Sequence, residues 1–472
     1  MLPLRAPQSP QKKRKTSNAD DAVAMASLSS PSSTAGVRSS TGLLGSPPAH
    51  AAAAYSSTLT RNRAVACMAA LLLFMFLSVS STSLLSHRNG GVKSYPAYEP
   101  ATSAAGAPAL SAEPAAAVAG KPHLRREPAS PLPRPNSLGL VIVADLDKQS
   151  RDATSHKPVF YSFLQHATLT ITANEVLQKD EYAVTWGAKR KFTTAMNEAG
   201  RGFELSELAW FDGKLLAFDD RTGIVYRLKN VESADADDNA AATTTKKLQA
   251  IPEHIVMEGD GVAGKGQKHE WATVKDGELY MGSVGKEFTD NDGHVLGDAN
   301  LWVAVMDTHG DVRHEDWTAR FARVRTALGA DWPGYVVHEA IEWSSAHRQW
   351  FLLPRRVSTA AYNDVLDETR GANKLVIASE DFSSVEVRDV GKVTPLRGFS
   401  SFKFLPRTGD NVIVAVKSVE IDAEQFQTSF LTVFDVHGAV LLEETELPGG
   451  HKYEGIAFAR DWSQDKQQQQ QR

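Results

Sequence analysis

The chain has 472 residues, a formal net charge of −5 and 42% hydrophobic residues, with 51 basic against 56 acidic side chains. That balance is ordinary for a globular protein and lacks the basic excess that nucleic-acid binding needs, so no nucleic-acid partner is expected. The single cysteine, Cys67, excludes an intrachain disulfide and a thiolate metal site. It lies in an apolar stretch, where a membrane-embedded thiol is the plain reading and palmitoylation the other.

Residues 1–60 are rich in Ser, Pro, Ala and Thr, and residues 86–136 in Ala, Pro, Ser and Gly. Such segments hold too few large apolar side chains to offset chain entropy, so a disordered tail and a flexible stem are expected. Between them, residues 64–85 read AVACMAALLLFMFLSVSSTSLL, uncharged and long enough to cross a bilayer as a helix. Arg61 and Arg63 just before it place the N-terminal side in the cytosol. The expectation is a single-pass type II anchor in the Golgi or endoplasmic reticulum membrane, with the remaining domain lumenal. The alternative is a cleaved signal peptide with a long leading region. KKRK at 12–15 also has the composition of a nuclear signal, which a membrane span argues against.

From Leu138 onward the apolar runs are short, rich in Val, Ile, Phe and Trp, and separated by turn residues, as in strands. Helical periodicity is best at Trp317–Leu328. Residues 233–247 read as a low-complexity surface loop and 461–472 as a disordered Gln-rich tail. One unit recurs. Leu205–Phe211 leads through Asp212-Gly213 to a strand at Lys214–Phe218, and His269–Val274 leads through Asp276-Gly277 to Glu278–Met281. His338–Trp343 leads to Gln349–Leu353, and Phe399–Phe404 to Val412–Val416. Tyr453–Phe458 opens a fifth copy that lacks its second strand, and Leu140–Ala144 near the domain start has that character. The spacing and count predict an all-β fold at 137–460: a five-bladed β-propeller whose last blade is completed by the first strand. A β-sandwich is the alternative, but it does not account for the repeat.

The polar residues opening the repeats are Ser206, Glu270, Glu339, Ser400 and Glu454. Equivalent residues of every blade converge on a propeller's channel, where three carboxylates and two hydroxyls would repel one another without a cation. Oxygen ligands of flexible number suit Ca²⁺. Taken singly, each Glu reads more readily as a solvated strand end; the whole set, in phase with the repeat, favours the cation. A second set follows the second strand of each unit: Asp145 and Asp147; Asp219, Asp220 and Arg221; Lys286 and Glu287; Arg355 and Arg356; Lys417 and Glu420. Carboxylates mixed with Arg and Lys are what phosphate chemistry needs, since cations hold the oxygens and a carboxylate binds metal or accepts a proton from water. Loop-end salt bridges are the bland alternative. A P-loop, an HExxH zinc site and a GxSxG elbow are all absent.

The blocks LVIVADLDKQSR, GRGFELSEL, DDRTGIVYRL, GKGQKHEW, GSVGKEFT, PGYVVHEAIEWS, WFLLPRRVS, RGFSSFKF and HKYEGIAF resemble, in order, the soluble calcium-activated nucleotidase (apyrase) family. The resemblance implies a five-bladed propeller with one Ca²⁺ held by the five repeat positions. It implies essential acids at Asp145 and Asp220 and a conserved basic residue at Arg355; Asp147 and Asp219, beside them in sequence, are the next candidates on the residues alone. Arg221, Lys286, Glu287 and Glu207 are the further substrate-contact candidates; the family usually has Asp at position 207. Phe288 replaces a family Trp, and the 233–247 loop is extra. The implied activity is hydrolysis of nucleoside diphosphates, UDP and GDP first, in the secretory lumen, where it supports glycosylation. A calcium-stabilised binding propeller without turnover is the runner-up, a propeller lactonase the third reading, and a homodimer is left open.

Overall fold

The computed structural model describes residues 134–176, 178–232 and 246–463. The expected tail at 1–60, the span at 64–85 and nearly all of the stem lie outside the described residues, as do most of the 233–247 loop and the chain end from 464. No helix among the described residues is long and apolar enough to cross a membrane.

The described chain is almost entirely β and forms five four-stranded antiparallel sheets. The first blade takes β1 (Ser137–Asp145), β2 (Phe160–Asn174) and β3 (Lys179–Thr194). The second is β4 (Leu205–Phe211), β5 (Lys214–Asp219), β6 (Ile224–Lys229) and β7 (Gln249–Ile255). The third is β8 (Trp271–Lys275), β9 (Glu278–Gly282), β12 (Trp302–Met306) and β13 (Val312–Asp316), with the small hairpin β10 (Phe288–Thr289) and β11 (Val295–Gly297) inserted. The fourth is β14 (Tyr335–Ser344), β15 (Gln349–Ser358), β16 (Lys374–Ser379) and β17 (Val385–Asp389). The fifth is β18 (Gly398–Phe404), β19 (Val412–Ile421), β20 (Phe426–Asp435) and β21 (Val440–Glu446). The last strand, β22 (Lys452–Phe458), returns to the first blade and pairs with β1, Leu140 opposite Phe458 and Ile142 opposite Ile456. The five-bladed ring and its closure by the terminal strands are as the repeat predicts.

Both faces of each inner sheet are buried, because each blade packs against two neighbours. In β1, Leu140, Ile142 and Ala144 face the fifth blade, while Val141 and Val143 face the second. Among the described residues, five apolar clusters fill the five blade junctions, which leaves no open edge between first and last blades. The junction of the third and fourth blades is the most aromatic. There Trp317 packs on Trp271, Trp350 and Phe382, and a helix at Thr318–Ala327 adds Phe321 and Val324.

The Asp-Gly pairs form the turns their sequence demands. Asp212 and Gly213 have φ of 48° and 67°, and Asp276 and Gly277 51° and 88°, the positive pair of a two-residue turn whose twist matches its strands. The innermost strands β22, β4, β8, β14 and β18 follow one another around the central channel. At Gly455 a Cβ would lie 2.6 Å from the Glu207 carbonyl carbon, so glycine lets β22 close on β4.

Candidate functional site

Four of the five repeat positions sit where strand register breaks. β4 slips against β5 between Leu205 and Glu207, at Ser206, and β18 slips against β19 between Phe399 and Ser401, at Ser400. β14 slips between His338 and Ile341, around Glu339, and β22 slips opposite Ile142 and Ala144, around Glu454. Glu270 stands one residue before β8, its amide donating to the Gly282 carbonyl at 2.8 Å. A bulge places an extra residue on the channel side without disturbing the core alternation beyond it. This local device sets four of the polar side chains, and the approach to β8 sets Glu270, at the same phase of their blades.

Glu270, Glu339 and Glu454 are all buried, and each offers a carboxylate oxygen within 4.8 Å of the others'. Ser206 is 1% exposed and its Oγ has no hydrogen-bond partner, while Ser400 Oγ makes only long contacts, 3.4 Å to Val416 O and 3.3 Å to Tyr453 O. One oxygen of each carboxylate is taken by a cation. Arg355 Nη1 donates to Glu339 Oε2, to Glu454 Oε1 at 3.0 Å and to Ser418 Oγ at 2.8 Å, and Lys268 Nζ reaches Glu270 Oε1. The second oxygen of each remains, together with the orphaned Ser206 Oγ. This all-oxygen, flexible donor set fits a hard divalent cation such as Ca²⁺.

Above this level, towards the ends of β1 and β5, lies a ring of charge. Lys452 Nζ lies 2.7 Å from Asp145, 2.8 Å from Asp147, 3.3 Å from Glu420 and 3.8 Å from Glu454. Lys268 bridges Asp220, at 2.6 Å, to Glu270. Arg201 holds Glu204, which joins Asp145 and Asp147 in a second close carboxylate group. Burial, with the neighbouring Asp147, pushes the Asp145 carboxyl well above the usual carboxylate range. For Asp147 burial pushes the same way, but Lys452 overrides it and holds that carboxyl well below the range. Burial raises Glu454 to about 7, Lys452 partly opposing it.

The structure separates Asp219 from Asp220. Asp219 accepts from the Phe203 amide at 2.8 Å, the Arg221 amide at 2.9 Å and the Thr222 amide at 3.2 Å, and so shapes the turn after β5. Burial first, then Asp220, pushes its carboxyl up to about 7. Asp220 is the one that turns to the channel, with Oδ2 on Lys268 and Oδ1 buried without a partner. Arg221 pairs with Glu198 at 3.1 Å on the rim. Lys286 donates to Glu287 O and Thr289 Oγ1 and sits 4.2 Å from the Tyr362 ring centre. Glu287 is gripped by both ends of the Arg325 guanidinium, 3.2 and 3.0 Å, and fastens the helix rather than facing the carboxylate ring. Glu207 lies on the far side of that ring, where its Oε1 accepts from Leu208 N, Ser401 Oγ and Lys403.

Sequence reasoning passed over Lys268, Lys452, Glu204 and Arg201, and noted Glu420 without a role. A signal was present. Lys268 and Lys452 each stand two residues before a repeat glutamate, KHE and KYE, and Glu204 stands two before Ser206. At the equivalent place before Ser400 is Gly398, where a Cβ would meet Arg355 Cγ at 2.5 Å, so the missing side chain makes room for Arg355.

A sequence profile of the family described as Apyrase matches residues 146–459. The chain is 42% identical over 323 residues to the apyrase apy-1 of Caenorhabditis elegans, covering 68% of this chain and 84% of that one. It is 39% identical over 320 residues to soluble calcium-activated nucleotidase 1 of Rattus norvegicus, covering 68% and 73%. It is 40% identical over 293 residues to an apyrase of Cimex lectularius, covering 61% and 75%. The chain belongs to the apyrase family of nucleotide-phosphate-hydrolysing enzymes.

Proposed function

We propose that this chain is a Ca²⁺-dependent nucleoside diphosphatase that converts UDP and GDP, and secondarily UTP and GTP, by removing the terminal phosphate. The observation that carries the cation is the convergence of three buried carboxylates from three different blades, with an orphaned buried hydroxyl at the same phase of a fourth. Charge supports it as well. Among the described residues the eight carboxylates Asp145, Asp147, Glu204, Asp220, Glu270, Glu339, Glu420 and Glu454 are paired with four cations, Arg201, Lys268, Arg355 and Lys452, with Arg356 also near Glu339 and Glu420. An anionic substrate enters such a mouth only if a divalent cation relieves the excess. Ca²⁺ held by Ser206, Glu270, Glu339, Ser400 and Glu454 would supply that charge and polarise a phosphoryl oxygen.

The chain's own residues divide the remaining work. Arg355 and Lys268 hold phosphate oxygens, Arg355 with a planar fork. Asp220 Oδ1, buried and free, accepts a hydrogen bond from the attacking water. Water oxygen bonds to the terminal phosphorus, the bridging P–O bond breaks with its electron pair leaving on the nucleoside monophosphate, and the water proton passes to Asp220, the carboxylate that holds the water. Localisation in a Golgi or endoplasmic reticulum lumen behind the 64–85 anchor is part of the proposal. It rests on the uncharged span after Arg61 and Arg63. Glycosyltransferases release UDP and GDP in that lumen.

The test is phosphate release by the purified protein from a panel of nucleoside di- and triphosphates, with Ca²⁺, with Mg²⁺ and with chelator. Activity with Ca²⁺ and loss in chelator plus Mg²⁺ are expected, because Mg²⁺ demands tight octahedral geometry and keeps its waters. Full activity in chelator plus Mg²⁺ would overturn the calcium assignment.

A further inference from the structure

Beneath the five candidate cation ligands the channel holds a second polar layer, on the side away from Asp145 and Asp220. Ser401 Oγ donates to Glu207 Oε1 at 2.8 Å and accepts from the Ile456 amide at 3.3 Å. Lys403 Nζ lies 3.2 Å from Glu207 Oε1 and also donates to Glu342 Oε1, whose Oε2 accepts from Thr273 Oγ1. Thr273 Oγ1 in turn accepts from the Trp343 amide at 3.1 Å. Through these bonds all five innermost strands are tied to one another: β4 by Glu207, β8 by Thr273, β14 by Glu342, β18 by Ser401 and Lys403, and β22 by its backbone at Ile456. The members are buried or nearly so, with Ser401 and Glu207 at 0% and 1% exposure.

The two halves of this girdle bear on the ligands differently. Glu207 and Ser401 directly follow Ser206 and Ser400 in sequence, so the Glu207–Ser401 bond spans the backbone segments that carry the two serine oxygens. Ser401 also fastens β22 two residues beyond Glu454. A serine Oγ is one bond from Cβ and cannot follow a backbone that drifts, whereas a glutamate has two more torsions with which to adjust. The Thr273–Glu342 half lies between strands whose ligands, Glu270 and Glu339, are both glutamates.

We infer that Glu207 and Ser401 are positioning residues for the cation: they hold β4, β18 and β22 at the separation at which Ser206, Ser400 and Glu454 meet one ion. The inference rests on the cation-site reading proposed above. The partners that orient metal ligands carry a large share of affinity, and their loss costs roughly tenfold or more.

The experiment measures Ca²⁺ binding by titration calorimetry to the full chain, wild type and the variants Ser401→Ala, Ser401→Thr, Glu207→Gln and Thr273→Val, together with thermal unfolding of each in chelator. Ser401→Ala and Glu207→Gln should weaken Ca²⁺ binding about tenfold or more, and should narrow the preference for Ca²⁺ over the larger Sr²⁺, because a loosened ring no longer fits the smaller ion. Ser401→Thr, which keeps the hydroxyl, should restore both. Thr273→Val, which removes the hydroxyl on the glutamate side, should lower stability in chelator while leaving Ca²⁺ affinity near wild type. Unchanged Ca²⁺ affinity in both Ser401→Ala and Glu207→Gln, beside a wild type that binds, would overturn the positioning role alone. An equal loss of affinity in Thr273→Val would reduce the girdle to general stiffening and overturn it too. A wild type with no saturable Ca²⁺ binding would bring down the cation reading and this inference together.

Discussion

Removal of the Lys452 ammonium is the sharpest test of the channel electrostatics. The side chain is 7% exposed and contacts Asp145, 1% exposed, and Asp147, 27% exposed, at 2.7 and 2.8 Å. Lys452→Met keeps most of the volume and takes away the charge, leaving carboxylates buried without a partner. Breaking a buried pair from one side costs about 3–5 kcal/mol, against about 0–1 kcal/mol for an exposed pair. In the native protein burial works to raise Asp147, and Lys452 wins and holds it well below the usual range. A depressed carboxyl contributes stability that is present above its unfolded pKa and is lost as pH falls through its folded pKa. That contribution is whole at both about pH 5 and about pH 7.5. In the variant, burial acts on Asp147 without Lys452 to oppose it and lifts its carboxyl above the unfolded value. A raised carboxyl loses stability as pH rises through its folded pKa, so the deficit should be largest near neutrality and shrink towards about pH 5 as that carboxylate is protonated. Urea unfolding in chelator, followed by tryptophan fluorescence at about pH 7.5 and about pH 5, reads both quantities. A deficit under about 1 kcal/mol at the higher pH, or one equal at both, would show that Lys452 does not neutralise this cluster.

Three other outcomes are expected. Asp220→Asn should lower kcat by roughly 10²–10⁴-fold with a near-normal melting curve, whereas Asp219→Asn should chiefly lower stability, since its carboxylate accepts three backbone amides; equal kcat losses with unchanged melting would remove this division of labour. Because burial holds Glu454 at about 7, Ca²⁺ must displace a proton below that pH, so Ca²⁺ affinity should fall on acidification through neutrality; calorimetry in buffers of different ionisation enthalpy counts the proton, and a pH-independent affinity would contradict it. In sealed microsomes, protease should trim residues 1–60 and spare the propeller, and digestion of the propeller without detergent would reverse the topology.

The ring was legible because its grammar is local. A short apolar strand, an Asp-Gly turn and a second strand announce themselves within a dozen residues, and a missing second strand at the chain end points to closure by the first. The outer strands were not legible in the same way. β2 and β3 form a long hairpin, Phe160–Asn174 with Lys179–Thr194, in which exposed and buried residues alternate unevenly and no repeat motif recurs. β15 and β19 run on to Ser358 and Ile421, well past their apolar cores, because polar residues there are paired across strands and carry the chain into the channel mouth.

The site was legible where phase alone decides and opaque where a turn or a long-range contact decides. Ser206, Glu270, Glu339, Ser400 and Glu454 share one phase of the repeat, and sheet geometry does the rest. Asp219 and Asp220 are neighbours of identical chemistry, and only the turn, with Gly223 at φ 70° and three amides aimed at Asp219, sends one inward and the other to the channel. Glu287 stands beside Lys286 in sequence, yet the docking of a helix with Arg325 claims it from 38 residues away. Lys268 and Lys452 escaped because lysines in a hydrophilic stretch look solvated, although their place two residues before a channel glutamate, in extended backbone, puts them on the same side of the chain. Lys452 is buried and Lys268 partly exposed, and that changes what they are for. A buried ammonium is tolerated only where carboxylates outweigh its desolvation, as Asp145 and Asp147 do for Lys452. Each lysine therefore reports on the carboxylates around it, and under the proposed function the same lysines would set the spacing at which those carboxylates meet a cation and a phosphate.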